Sequence, residues 1–486
     1  MRSAVAIAAC ALSGWAAGAC SAQAHPVARP FIVRTTSAAT ARSVARAEAR
    51  RGVPITQRFT HVFTGFSARL TPAQLQQLRS SRSVRRVDVD RIVRVVQEER
   101  RASSTGLWGL DRIDQRGLPL NGRIVTPGQG QGVSVYVLDT GIRVDQTQFA
   151  GRVSTGHAVV GNDHGNGDCN GHGTSVAGVI GGEITGVAPQ VTLVPVRILG
   201  CTAVGLSSSL IAGLDWVVQD HQVGVPAVAN ISMYGPRLGP VNDAIAATVS
   251  DGVVVSVAAG NDGANACDGS PASAPDAITS GATTPGDVLA EWSGWGECVD
   301  MLAPGDRVLT AAPAPTGLVT AGGTSIASAF TSGGAAITFG LNPFMTPADV
   351  AGVLEATATP NAIAGLAPGT PNRLLYVGVP FDPSSVPAVV APPGPRVFSG
   401  VTVRFQRAPH MRASLGRYVV NGRTTHAGQL TLTVAGRRVD RRRVGAGAFS
   451  YRTRVANRTS VVRLVVRPFD PSLTTSSLRV RVRFPA

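Results

Sequence analysis

Four apolar runs constrain this chain more than any other feature. Gly132 to Leu138, Thr192 to Ile198, Ala227 to Ser232 and Val253 to Ala258 are nearly continuous in apolar residues rather than alternating. Strands of that kind are buried on both faces, as in a parallel sheet covered by helices. Helical segments are expected between them, at Gly173 to Gly181, Ser207 to Gln219 and Val241 to Asp251. That alternation implies an α/β domain on a parallel sheet. Functional groups of such domains gather on loops beyond the carboxyl ends of the strands. Asp139 and Asn261 both follow such runs.

At 486 residues the chain exceeds one ordinary domain. Its charge divides it. All basic charge is Arg, with no Lys. Residues 25–103 hold 16 Arg against 5 acidic residues, 104–395 hold 9 against 22, and 396–486 hold 19 against 2. The high pI thus belongs to the flanks. It is no sign of a nucleic-acid-binding protein, and nucleic acid is not expected as a partner.

Residues 1–24 read as a secretory signal. Arg2 precedes an apolar stretch from Ala4 to Ala19, and Ala22-Gln23-Ala24 supplies a small-x-small cleavage site. A membrane anchor is disfavoured by the short run with Ser13 and Gly14. Lipid attachment at Cys20 is a second alternative, although the usual leucine is missing. The expected location is extracellular, with cell-surface attachment as the variant.

Residues 25–104 read as a small α+β module. Phe31 to Val33 is a strand, Ala38 to Arg51 a helix, Thr60 to Leu70 a hairpin turning at Thr64-Gly65, and Val84 to Val95 strands. Thr71-Pro72-Ala73-Gln74 opens a second helix, with an N-cap and Pro at its first position. Residues 105–380 form the central domain. Residues 381–395 are a Pro-, Ser- and Ala-rich linker. Residues 396–486 alternate with period two and predict an Arg-rich, sandwich-like all-β module.

Three segments carry chemistry. Val137-Leu138-Asp139-Thr140-Gly141-Ile142, Asn170-Gly171-His172-Gly173-Thr174-Ser175 and Gly323-Thr324-Ser325-Ile326-Ala327-Ser328 supply a carboxylate, a base and a nucleophile. A hydroxyl such as that of Ser325 is a poor nucleophile until an imidazole takes its proton. His172 is the candidate base, and Asp139 the group that orients it. Each alone has a bland alternative: a turn carboxylate, a loop histidine, a helix-capping serine. Together in one chain they point to acyl transfer. Outside the signal, Cys169, Cys201, Cys267 and Cys298 remain. Two disulfides are expected of an exported chain, with three pairings open.

These segments resemble the subtilisin-like serine proteases, most closely the proteinase K and aqualysin branch. The likeness runs from about Trp108 to Val379. A weaker one joins residues 25–104 to that family's inhibitory propeptides. It implies a subtilisin-like parallel sheet flanked by helices, and a monomeric secreted endopeptidase made as a proenzyme. The propeptide would be its intramolecular inhibitor, removed near Arg101 to Thr105. The opposite charges of module and domain favour that association. Substrates would be proteins and peptides.

The resemblance also implies roles. In Val257-Ala258-Ala259-Gly260-Asn261, Asn261 would donate to the oxyanion beside the backbone N–H of Ser325. Substrate would pair as a strand with Asn230-Ile231-Ser232-Met233. Its side chain at the cut would enter a pocket between Ser232, Met233 and Ala259, Gly260, with apolar or aromatic preference. Cysteine contexts select Cys169–Cys201 and Cys267–Cys298. Catalysis needs no cofactor. Structural calcium is implied at Pro275, Ala277 and Asp300, and at Asp111, Asp114 and Gln115. Departures are Ile326 for Met, Ala329 for Pro, Phe330 for His, Ser175 for His, and Tyr234 for Gly in the substrate strand. Tyr234 and the altered helix after Ser325 favour the alternative of a weakly active or inactive binding protein at the cell surface, against which the intact Asp139, His172, Ser325 and Asn261 argue. The Arg-rich tail is a candidate binder of anionic surface polymers.

Overall fold

The computed structural model describes residues 27–95, 106–161, 164–222 and 224–378, and the backbone of strands between Thr402 and Arg483. The expected signal and linker lie outside the described residues.

The N-terminal module contains β1 (Arg29–Thr35), α1 (Ala38–Arg50), β2 (Ile55–Phe59), β3 (Gly65–Leu70), α2 (Pro72–Ser80), β4 (Val84–Val89) and β5 (Ile92–Arg94). Its antiparallel sheet runs β2-β3-β1-β4. Both helices start on side-chain caps. Ser37 accepts from Thr40 N, and Thr71 with Gln74 forms a reciprocal capping box ahead of Pro72. Phe31, Val33, Phe66 and Leu70 fill the core. The hairpin differs from expectation. Its first arm is β2, and residues 60–64 form the connection. The backbone N–H groups of Thr60, His61 and Val62 donate to the Asp215 carboxylate of the central domain instead of a neighbouring strand.

The central domain begins with α3 (Trp108–Ile113), β6 (Ser134–Asp139), β7 (His157–Ala158), α4 (His172–Gly181), β8 (Thr192–Arg197), β9 (Val204–Leu206) and α5 (Ser207–Asp220). It continues with β10 (Ala227–Ile231), β11 (Gly235–Pro236), α6 (Gly239–Asp251), β12 (Val253–Ala258), β13 (Gly269–Ser270) and β14 (Ile278–Thr283). Then come β15 (Met301–Pro304), β16 (Val308–Ala311), β17 (Leu318–Ala321), α7 (Thr324–Leu341), α8 (Pro347–Thr357), β18 (Thr359–Pro360) and β19 (Arg373–Leu374).

The sheet order is β18-β19-β15-β14-β12-β10-β6-β8-β7, parallel except at β18. Val228 lies opposite both Val135 and Val254. Successive residues of one strand enter opposite cores. Val135 and Val137 pack with α4, α7 and α8, whereas Tyr136 and Leu138 pack with α5 and α6. Burial on both faces is why the apolar runs do not alternate.

The N-terminal module sits on the α5 and α6 side, where Ile32 and Phe59 join the domain's own core. Strands between Thr402 and Arg483 pair antiparallel into a three-stranded and a four-stranded sheet. Their side chains, and the expected sandwich packing, lie outside the described residues. No described helix is long and apolar enough to cross a membrane.

Candidate active site

Asp139 ends β6, His172 opens α4, and Ser325 is the second residue of α7. The fold delivers all three to one end of the sheet. His172 Nδ1 lies 2.8 and 2.9 Å from the two oxygens of Asp139. Both side chains are buried, with Asp139 at 0 % exposure. Thr140 N donates to Asp139 Oδ1 at 2.7 Å, fixing the carboxylate plane. Gly171, before α4, has φ 100°, a left-handed conformation that favours glycine. A Cβ at Gly173 would overlap the Gly141 carbonyl and approach Asp139. The two glycines flanking His172 are thus steric requirements.

Ser325 Oγ donates to the Ser232 carbonyl at 3.3 Å, at the end of β10. Asn261 Oδ1 accepts from Thr324 N at 2.8 Å and Thr324 Oγ1 at 2.6 Å. With its oxygen so engaged, the opposite end of the amide is the donating one. Gly260 N donates to the same Thr324 hydroxyl at 3.1 Å. Such an arrangement can deprotonate a serine, hold the imidazolium and receive an oxyanion at a helix start.

Several supporting groups escaped the sequence. Asp168 accepts from Asn170 N, Gly171 N, Thr174 N, Thr174 Oγ1 and Thr140 Oγ1, at 2.6 to 2.9 Å. It ties the turn before His172 to the loop after Asp139. Thr140 Oγ1 also accepts from Gly173 N. The available signal was an acidic residue just before a Gly-rich helix start, where free N–H groups need an acceptor. Behind the nucleophile, Asn230 Oδ1 accepts from Ser328 and Ser332, and Asn230 Nδ2 donates to Ser232 Oγ. Ser232 Oγ donates in turn to the Ser325 carbonyl. This buried network locks α7 against β10.

The expected substrate edge is occupied by the chain itself. β5 pairs antiparallel with β9, matching Val93 with Gly205. On its other side Arg94 and Tyr234 exchange both backbone hydrogen bonds, at 3.1 and 3.2 Å. The expected subsite residues act differently from one another. The Met233 side chain is fully buried in the core, and the Ser232 hydroxyl is spent on the network. Only their backbones can face a substrate. Ala259 N donates to Ser280 O and Gly294 N to Gly260 O, so this wall is held from behind.

The model for the subtilase family matches residues 130–375, about half the chain, and that for peptidase inhibitor I9 matches residues 25–95. The chain belongs to the subtilase family.

Its relatives include an extracellular serine proteinase of a Thermus strain, 42 % identical over 67 % of this chain and 78 % of that protein. A subtilisin-like serine protease of Sarocladium strictum is 38 % identical over 65 % of this chain and 81 % of its own length. Among solved structures, a cold-adapted subtilisin-like serine proteinase is 42 % identical, with a TM-score of 0.54. It covers 56 % of this chain and 99 % of that one. This subtilase is a serine-type endopeptidase preceded by an inhibitor I9 module, the arrangement of a self-processing proenzyme.

In this subtilase Cys169–Cys201 and Cys267–Cys298 are both disulfides, the pairing the resemblance selected. The buried Arg197 guanidinium packs against the first. The altered helix is intact. Ile326 and Ala329 are buried in the core, and α7 runs 18 residues without a break. Ser175 is buried and donates to Gly171 O and Ala311 O.

The expected calcium ligands divide. Asp111 Oδ1 and Asp114 Oδ1 are buried without a hydrogen-bond partner, while their other oxygens accept from Gly122 N and Val125 N. Burial and the neighbouring Asp111 raise the Asp114 pKa. Two orphaned carboxylate oxygens fit a hard cation. Gln115 is turned to its own loop, donating to Gly117 O and Pro119 O and accepting from Asn121 N. Asp300 is half-buried, accepts from Thr279 N at 2.8 Å, and has its pKa pushed up to about 6, chiefly by desolvation. A carboxylate so desolvated also fits a cation, and its partner Thr279 follows closely on the segment from Pro275 to Ala277.

Proposed function

We propose that Ser325 attacks the scissile carbonyl, with His172 as general base, Asp139 as its orienting carboxylate, and Asn261 with the Ser325 backbone N–H as oxyanion donors. The supporting observation is the buried His172 imidazole, held through Nδ1 by both oxygens of Asp139. That contact leaves Nε2 as the nitrogen to take the Ser325 proton. Removing one oxyanion donor typically costs ~2.7–4 kcal/mol of transition-state stabilisation. Substrate adds as a strand between β9 and Tyr234, where β5 lies. The chain is exported, as the Thermus relative's name says of that protein. Apolar side chains are preferred at the cut.

Comparison of wild type with Ser325→Ala tests this. Wild type sheds the segment before about Thr105, and Ser325→Ala stays full length. Processing of Ser325→Ala at the wild-type rate would refute Ser325 as nucleophile.

Calcium binds at Asp111 and Asp114, and at Asp300 with the carbonyls of Pro275 and Ala277. It would supply the positive charge those carboxylates lack. A chelator then lowers the midpoint of thermal inactivation by several degrees, and added calcium restores it. An unchanged midpoint would count against both sites.

A further inference from the structure

Tyr234 stands where the chain's own strand β5 meets the side of the cleft opposite β9. Its backbone pairs with Arg94. A substrate strand in that antiparallel register brings the second residue after the Arg94 position level with Ser232. The Ser232 carbonyl lies 3.3 Å from Ser325 Oγ, so that substrate residue is the one at the cut. Its side chain must enter the slot between Ser232–Tyr234 and Ala259–Gly260.

The Tyr234 ring already lies across that slot. A Cβ at Gly260 would sit 3.1 Å from Tyr234 Cδ2 and 3.2 Å from Cε2. A Cβ at Gly269 would overlap Tyr234 Cζ and Oη outright. The ring therefore spans from its own strand over Gly260, and its hydroxyl end rests on Gly269. It packs at the edge of the small core formed by Ala259, Ala266 and Val299. Gly269 lies in β13, paired to β11 directly after Tyr234, so the two positions are held together. The missing side chain at 269 makes the space that the ring fills. Burial, with Asp268 and Asp262 nearby, raises the phenol pKa, which keeps the ring neutral.

We propose that Tyr234 is the specificity-determining residue of this cleft, closing the slot so that only short side chains are accepted at the cut. Alanine, serine and valine fit above the ring. Phenylalanine and tyrosine need the volume the ring occupies. This rests on the protease reading and narrows its apolar preference to small residues. Tyr234 takes no part in bond making, and its effect falls on which substrate reaches Ser325.

The test uses the mature enzyme and fluorogenic peptides that differ only at the residue before the cut: Ala, Val, Leu or Phe. Wild type cleaves the Ala peptide with kcat/KM at least tenfold above the Phe peptide. Tyr234→Gly raises the Phe-to-Ala ratio tenfold or more, mainly through KM for Phe. Tyr234→Phe retains the ring and the wild-type ratio. If wild type cleaves Phe as well as Ala, the inference is overturned without any variant. It is also overturned if Tyr234→Gly folds, cleaves Ala and keeps the wild-type ratio. Failure of the protease reading is distinct: wild type would hydrolyse none of the peptides and match Ser325→Ala.

Discussion

Asp168 shows how much one side chain holds at the residue scale. Its two oxygens satisfy five donors around the turn that presents His172. A buried donor left without an acceptor costs roughly 1–3 kcal/mol, and charged acceptors are the stronger ones. Asp168→Ala should therefore lower kcat by about a hundredfold or more, since ~1.4 kcal/mol is a factor of ten. Active-site titration of purified enzyme separates this from loss of folded protein. A kcat within threefold of wild type would show that the turn holds without Asp168. Gly173→Ala acts on the same turn by a different route. The added Cβ meets the Gly141 carbonyl and Asp139, so the carboxylate and imidazole cannot both keep their places. Its kcat should fall by a similar factor with KM little changed.

Docking between elements is carried by carboxylates set on backbone donors. Asp215 of α5 takes the N–H groups of residues 60–62, and Asp90 after β4 takes Ser208 N at the start of α5. Each crosses the boundary in the opposite direction, so the module is held by two reciprocal carboxylate-to-backbone contacts. Burial raises the Asp90 pKa above its ordinary 3.8, opposed by its hydrogen bonds from Ser208. The docked state then holds the proton more tightly than the free module. By linkage, the Asp90 contribution favours docking below 3.8 and is lost as pH rises through the raised docked value. Asp90→Asn removes that titration. The processed wild-type complex should retain more module at pH ~4.5 than at ~7.5, and Asp90→Asn should show a shallower change. Size-exclusion chromatography of the processed complex reads this. Equal slopes in the two proteins would remove Asp90 from the account.

At the scale of the molecule, charge is sorted by segment. Residues 25–103 carry 16 Arg against 5 acidic residues, facing a 104–395 segment with 9 against 22. Arg34 makes this local, bridging to Asp243 of α6 and to Asp88 of its own module. Attraction between exposed charges of this kind fades beyond the Debye length, about 8 Å at physiological salt and ~3 Å at 1 M. Raising salt from 0.1 to 1 M should thus shorten the lag before activity appears in freshly processed enzyme. A lag independent of salt would leave the apolar contact through Ile32 and Phe59, with the backbone hydrogen bonds of β5 and of residues 60–62, as the source of affinity.

The sequence by itself determined the layered α/β sheet and singled out Asp139, His172 and Ser325, the trio proposed to act together. Both are written locally. A strand buried on two faces must be apolar throughout, and a histidine or serine at a helix start needs small neighbours whatever the rest of the chain does. The helix cap at Thr71 was legible for the same reason. Tertiary structure alone decided that residues 60–62 bond to Asp215 rather than extend a hairpin, because that partner lies more than 150 residues away. It alone decided that Thr324 orients Asn261, and that Asp168 anchors the His172 turn. It also placed the Tyr234 ring on Gly269. The sequence showed a large residue in a strand beside the cleft and a glycine elsewhere. Whether one fills the space left by the other depends on the packing of β11 against β13, and no local pattern encodes that distance.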